Sequence, residues 1–153
     1  SKEEKKQQEQ LKAQQKAAEE QLKQRLAQQQ KITAQLNNQE WQIELTPLSA
    51  AANAKVKKEM DVVTFKDNKV AIAGFGKKGF TPTNYSLTVQ EDGMIIWETM
   101  QTSQNAGTAF WRGEMPKDML SIRGVVSHVI DAKTKSDYSF VSTSKRSLAA
   151  EAK

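Results

Sequence analysis

The residue types that could do chemistry are few and scattered. The chain has no Cys and one His, which excludes disulfides, thiolate zinc sites, cysteine nucleophiles and His-rich metal centres. Ser127-His128 sets a Ser beside that His, but adjacent strand residues point to opposite faces, so the two cannot act as nucleophile and base. His128, near a strand end, is expected at the surface. Glu91-Asp92 runs into Gly93 and reads as hairpin chemistry rather than an acid pair. In Gly74-Phe75-Gly76-Lys77-Lys78-Gly79-Phe80, Gly74 and Gly79 have phosphate-loop spacing, but Phe80 and Thr81 stand where Lys and Ser or Thr are needed. Lys78-Gly79-Phe80 opens like the aromatic strand of an RNA-recognition fold until Thr81-Pro82 interrupts it. The stretch reads instead as a flexible connection at a barrel mouth. Asn84-Tyr85-Ser86 fits a glycosylation acceptor. These residues form no catalytic constellation, and the sequence points to a protein that is not an enzyme and uses no cofactor or metal.

Two clusters have the composition of binding surfaces. Glu98, Phe110, Arg112 and Arg123 share one face of neighbouring strands, where Glu98, Arg112 and Arg123 could form a charge ladder, with Phe110 and Met100 as apolar contacts in a recognition patch. The competing reading is a solvated sheet face whose ion pairs are each worth under about 1 kcal/mol. The opposite face carries Phe65, Tyr85, Trp97, Trp111 and Ile122, the candidate interior and the lining of any ligand cavity. A slip of one residue would exchange the faces and bury the ladder.

The strands that position both clusters follow from period-two alternation. Trp41, Ile43 and Leu45 alternate with polar residues up to Pro47. Asp61 to Lys66 and Lys69 to Gly74 flank Asp67-Asn68, Tyr85 to Val89 precedes Glu91-Asp92-Gly93, and Met94 to Thr102 follows. Asn105-Ala106-Gly107 leads into Thr108 to Glu114, Pro116-Lys117 into Asp118 to Val129, and Asp131 to Lys135 into Asp137 to Thr143. Pairing across Pro116-Lys117 would set Gly113 opposite Leu120, Trp111 opposite Ile122 and Ala109 opposite Gly124. Eight short antiparallel strands predict an up-and-down β-barrel, or a strongly bent sheet or sandwich whose end strands do not quite meet. Ser49 to Lys58, rich in Ala and Lys, suits a short helix or an extended loop.

Residues 1–40 differ sharply from the rest: 12 are Gln, and none is aromatic, Gly or Pro. Their good helix formers and the capping-box spacing Ser1-Lys2-Glu3-Glu4 predict one long helix, about 57 Å over 38 residues. Its apolar seam is Leu11, Ala18, Leu22, Leu26, Ile32 and Leu36, a coiled-coil pattern with defects, since Gln15, Arg25 and Gln29 also fall on seam positions. A solvated single helix, self-association and docking on a partner protein all fit. The domains are thus 1–40 helix or coiled coil, 41–143 β-barrel and 144–153 polar tail, an α+β content. The net charge of +5 is dispersed, with eight basic and six acidic groups in 1–40 and fifteen and twelve beyond, which speaks against nucleic acid. No apolar run is long enough to cross a bilayer, so a membrane anchor or signal peptide would have to precede Ser1.

At Trp97-Glu98, Gly107-Thr108-Ala109-Phe110-Trp111-Arg112-Gly113-Glu114, Met119 to Gly124 and Asp137-Tyr138-Ser139-Phe140, the chain resembles small lipocalin-like (calycin-type) β-domains of bacterial envelope proteins of unassigned function. The Gly-x-Trp signature of lipocalins is absent, since Gln39-Glu40 precedes Trp41. The resemblance implies a noncatalytic β-barrel in the cell envelope or periplasm. Two functions remain: an interaction protein whose helix tethers or oligomerises the β-domain, and a barrel for a small apolar ligand or lipid carried on a helical spacer. Packed interior side chains would favour the first, and an interior cavity of several hundred Å³ the second.

Overall fold

A computed structural model describes residues 1–48 and 57–148; the stretch 49–56, whose conformation the sequence left open, lies outside the described residues. Helix α1, Lys2–Leu36, forms because good helix formers follow one another without Gly, Pro or aromatic interruption. Its start is capped as the spacing predicts: the Glu4 N–H donates to Ser1 Oγ at 3.3 Å, and the Ser1 ammonium lies 3.5 Å from the Glu4 carboxylate. Asn38 ends it at φ 68°, a left-handed conformation that Asn tolerates. The chain divides into two compact units, Ser1–Ala34 and Gln35–Lys153.

Among the described residues the second unit holds nine antiparallel strands: β1 Gln39–Pro47, β2 Glu59–Lys66, β3 Lys69–Ile72, β4 Thr83–Asn84, β5 Ser86–Val89, β6 Ile95–Ser103, β7 Gly107–Met115, β8 Arg123–Asp131 and β9 Thr134–Ser147. The strand beyond the expected eight is β4, a two-residue pairing with β3. A helical turn, α2 Ala73–Gly76, stands where the sequence suggested that the third strand would continue. The sheet order is β4-β3-β2-β1-β9-β8-β7-β6-β5, a nearly closed up-and-down barrel. Pairing of β1 with β9 joins the two ends of the meander, and a register shift at Gln42/Ile43 bends the sheet there. The last strand runs past residue 143 to Ser147.

The two sheet edges, β4 and β5, are consecutive in the chain, with only Tyr85 between them. Backbone pairing cannot close a ring at such a point, and side chains of β6 close it instead. Thr99 Oγ1 donates to the Asn84 carbonyl at 2.7 Å, Gln101 Nε2 to the Thr81 carbonyl at 3.2 Å and Ser103 Oγ to the Lys78 carbonyl at 2.9 Å. These donors occupy alternate positions, so one face of β6 stitches down the strap at 78–84. Gly79, at φ +96°, packs so closely on Ser103 that a Cβ would displace its hydroxyl.

Interior-facing residues form a continuous chain of ring contacts. Trp41 meets Phe65 at 5.7 Å between centroids, Phe65 meets Trp97 at 5.4 Å, Trp97 meets Phe140 at 6.1 Å, Phe140 meets Trp111 at 5.5 Å and Trp111 meets Phe75 at 5.0 Å. Most are edge-on or tilted, as the ring quadrupoles favour. Trp97 pairs in register with Gly113, where a Cβ would overlap the indole, so glycine is needed for the ring to lie across that strand. Phe75 and Phe80 are 4% and 1% exposed. The Gly74-to-Phe80 stretch is therefore a plug and not the flexible connection expected, and Asp61 Oδ1 anchors it by accepting the Gly74 N–H at 2.7 Å.

Two further expectations are corrected. The hairpin through Pro116-Lys117 pairs Gly113 with Gly124, Trp111 with Val126 and Ala109 with His128, four residues from the expected register. The cause is the connection: Pro116 O accepts the Met119 N–H at 2.8 Å, Met119 turns at φ 59°, and no strand forms before Arg123. Leu120 is exposed as a result, while Ile122 still reaches the interior. His128 is buried, not at the surface. Its Nε2 donates to the Ala106 carbonyl at 2.7 Å, and its ring packs against Phe75 and Phe80.

Gly113→Ala should destabilise the barrel by about 1–3 kcal/mol through overpacking against Trp97, read as a lower urea midpoint at unchanged slope. Thr99→Val should cost about 1–3 kcal/mol, because the Asn84 carbonyl loses its donor at the seam, whereas Thr99→Ser should retain most of that stability. An unchanged midpoint in Thr99→Val would remove the seam from the account of closure.

Candidate functional site

The same alternation that sends Trp97, Trp111 and Val126 inward sends Glu98, Phe110, Arg112, Arg123 and Val125 outward, as the sequence phase predicts for the first four. On this outer face the register fixes who stands beside whom. Glu98 lies opposite Arg112, Met100 opposite Phe110, Arg112 opposite Val125, and Glu114 opposite Arg123. Ser127 links Phe110 on one side to Asp137 on the other. Ser86 on β5 pairs with Glu98.

Around Met100, Phe110 and Val125 these strands form an open groove of about 600 Å³, to which Leu48 at the end of β1 adds an apolar wall. The four are 54%, 47%, 45% and 57% exposed, in that order, a large concentration of apolar surface for a solvated sheet face. Ser86, Glu98, Arg112, Ser127 and Asp137 rim it with polar groups. The groove thus has an apolar floor inside a polar and charged rim.

The charges do not pair as a ladder led by Glu98. Arg112 Nη1 reaches Glu114 Oε1 at 3.3 Å and Arg123 Nε reaches Glu114 Oε2 at 3.2 Å, so Glu114 takes both guanidinium groups. Asp137 accepts a hydrogen bond from Ser127 Oγ and lies 3.7 Å from Lys135 Nζ. Among the described residues, the Glu98 carboxylate makes no hydrogen bond or ion pair. Beside exposed Met and Phe the groove thus holds one carboxylate that, among the described residues, forms no ion pair although Arg112 lies across from it.

Of the candidate interior residues, Phe65, Trp97, Trp111 and Ile122 are buried and Tyr85 is half-buried. Phe65 packs against both Trp97 and Tyr85, while Trp111 meets Phe75 and Phe140. Trp97 Nε1, Trp111 Nε1 and Gln101 Oε1 are buried there without hydrogen-bond partners among the described residues. In the first unit Leu11, Leu22 and Leu26 are 55%, 52% and 48% exposed, and Ala18 is exposed as well. Ile32 lies one turn before Leu36, which is fully buried in the second unit.

Val125, Ser127, Asp137 and Leu48 escaped the sequence reading. The four-residue register difference moves Ser127 from four residues away to directly opposite Phe110 and sets Val125 opposite Arg112, and Leu48 follows the Pro47 that ends its strand. The β-branched doublet Val125-Val126, with Val129-Ile130 after it, was the available signal for where that strand lies. Among the described residues no group of three or more His, Asp or Glu could hold a metal ion. The chain matches no family model, and no curated protein or solved structure matches it.

Phe110→Ser and Met100→Ser should each change stability by no more than about 0.5 kcal/mol, while Trp97→Ala should cost about 3–5 kcal/mol. Equilibrium urea unfolding of the three variants checks whether the groove residues are dispensable to the fold.

Proposed function

We propose that this is a noncatalytic interaction protein, in which α1 tethers or oligomerises the β-barrel and the outer groove presents an apolar binding surface. The observation that carries this reading is the distribution of large apolar side chains. The barrel interior is occupied by Trp41, Phe65, Trp97, Trp111 and Phe140 in mutual contact, while Met100, Phe110 and Val125 lie exposed. A barrel that fills its own axis keeps its binding capacity for the outside. The exposed leucines of α1 supply a second apolar surface of the kind a partner helix covers. The lipocalin-like resemblance carries the expectation of a bacterial envelope location into the same reading.

A second reading, a barrel for a small apolar ligand, draws on one observation: two indole N–H groups and a Gln carbonyl oxygen are buried inside the barrel without partners among the described residues. A ligand with matching polar atoms would satisfy them, provided the rings moved aside.

Light scattering over a range of concentrations separates the readings. Residues 1–153 should exceed the monomer mass while residues 35–153, which keep the buried Leu36, should be a folded monomer. A full-length chain that stays monomeric at every concentration removes the oligomerising role. Saturable quenching of Trp fluorescence by an apolar probe such as a fatty acid would then favour the second reading.

A further inference from the structure

We infer that self-association places the Ala18–Leu26 stretch of α1 from one copy in the outer groove of a second copy, with Arg25 meeting Glu98. The inference rests on the oligomerising role proposed above and identifies the surface that receives the helix.

Three observations support it. The first is the shape of the helix stripe. At 3.6 residues per turn Leu11, Ala18, Leu22 and Leu26 fall within roughly 80° of the helix circumference, a narrow ridge without an apolar flank. A groove-binding helix needs such a ridge, whereas a long coiled coil needs a seam without interruption. Here Gln15, Arg25 and Gln29 break the seam, and in a parallel helix pair each Arg25 would face its own counterpart.

The second is charge. Residues 1–34 hold eight basic and five acidic groups. Arg112 on the groove rim and Arg123 outside it are both engaged by Glu114, and Asp137 by Ser127 and Lys135, so of the groove's carboxylates Glu98 is the one without an ion pair among the described residues. Arg25 stands at the edge of the leucine ridge, where it can reach such a carboxylate while Leu22 and Leu26 cover Met100 and Phe110. The contact replaces a like-charge encounter between two helices with an opposite-charge one.

The third is length. Ala18 to Leu26 spans about 12 Å of helix. The apolar floor, from Met100 on β6 through Phe110 on β7 to Val125 on β8, crosses two strand spacings, about 10 Å, before the side chains extend it. Two leucines one turn apart therefore match the floor without overhang. Leu48 closes the groove on one side.

Charge exchange in the full chain tests this directly. Wild type, Glu98→Arg, Arg25→Glu and the double variant are compared by sedimentation velocity at several concentrations, with circular dichroism to verify folding. Each single variant should weaken association at least about tenfold, and the double variant should recover most of that loss, because the pair is re-formed with its signs reversed. Phe110→Ser should weaken association without altering the unfolding midpoint. An oligomeric wild type whose association is unchanged in both single variants overturns the inference and leaves helix-to-helix pairing as the basis of self-association. Weakening in both singles without recovery in the double overturns the Arg25–Glu98 contact. A wild type that is monomeric throughout overturns the oligomerising role itself.

Discussion

The barrel depends on closing a sheet at a place where backbone hydrogen bonds cannot do so. Its edges β4 and β5 adjoin in sequence through Tyr85, so the chain crosses the gap as a strap and cannot pair with itself there. Thr99, Gln101 and Ser103 supply the missing donors from β6 to three strap carbonyls. An open sheet edge invites pairing with other chains, and a buried carbonyl without a donor carries a desolvation cost. The stitch answers both problems with three polar residues placed among aromatic ones.

Closure governs what fills the interior. Once the strap is held down, Phe75 and Phe80 enter the barrel from the same segment and meet Trp111 and His128, which extends the ring chain that begins at Trp41. The close approach of Trp97 to Gly113 belongs to the same economy of space: one strand gives up a side chain so that its neighbour can carry the largest one. While these rings are buried in mutual contact, Met100, Phe110 and Val125 stand exposed on the outside, on β6, β7 and β8. The groove is the other side of the same strands, and its residues alternate one by one with the core residues that hold them in place.

Much of this was legible in the sequence. Composition separated the helix from the strands, the Ser1-x-x-Glu4 spacing announced the cap, and alternation assigned Trp97 and Trp111 inward and Glu98, Phe110, Arg112 and Arg123 outward. What alternation could not reveal was the depth of the turn after Met115. A connection that reads as a two-residue hairpin is a longer loop, tied by Trp41 Nε1 to the Leu120 carbonyl and by Ser142 Oγ to the Ile122 N–H, partners far away in the chain. A shift of four residues preserves the inward and outward phase, so the faces were read correctly while the neighbours were not. Likewise His128 resembles a surface residue near a strand end until Phe75 and Phe80, some fifty residues earlier, are folded over it.

The sequence by itself determined the long helix, most of the strands and their faces, because helix propensity, capping and period-two alternation are local properties carried by a few neighbouring residues. The tertiary structure alone decided how the sheet closes, which carboxylate engages the two arginines, and which apolar side chains gather into a groove. Those outcomes depend on register between strands and on contacts made across long stretches of chain. Glu98 and Glu114 look equivalent from their place in alternating strands; the register sets Glu98 opposite Arg112 and Glu114 opposite Arg123, but Arg112 turns along its own strand to Glu114, so among the described residues the Glu98 carboxylate makes no ion pair at the edge of an exposed apolar floor.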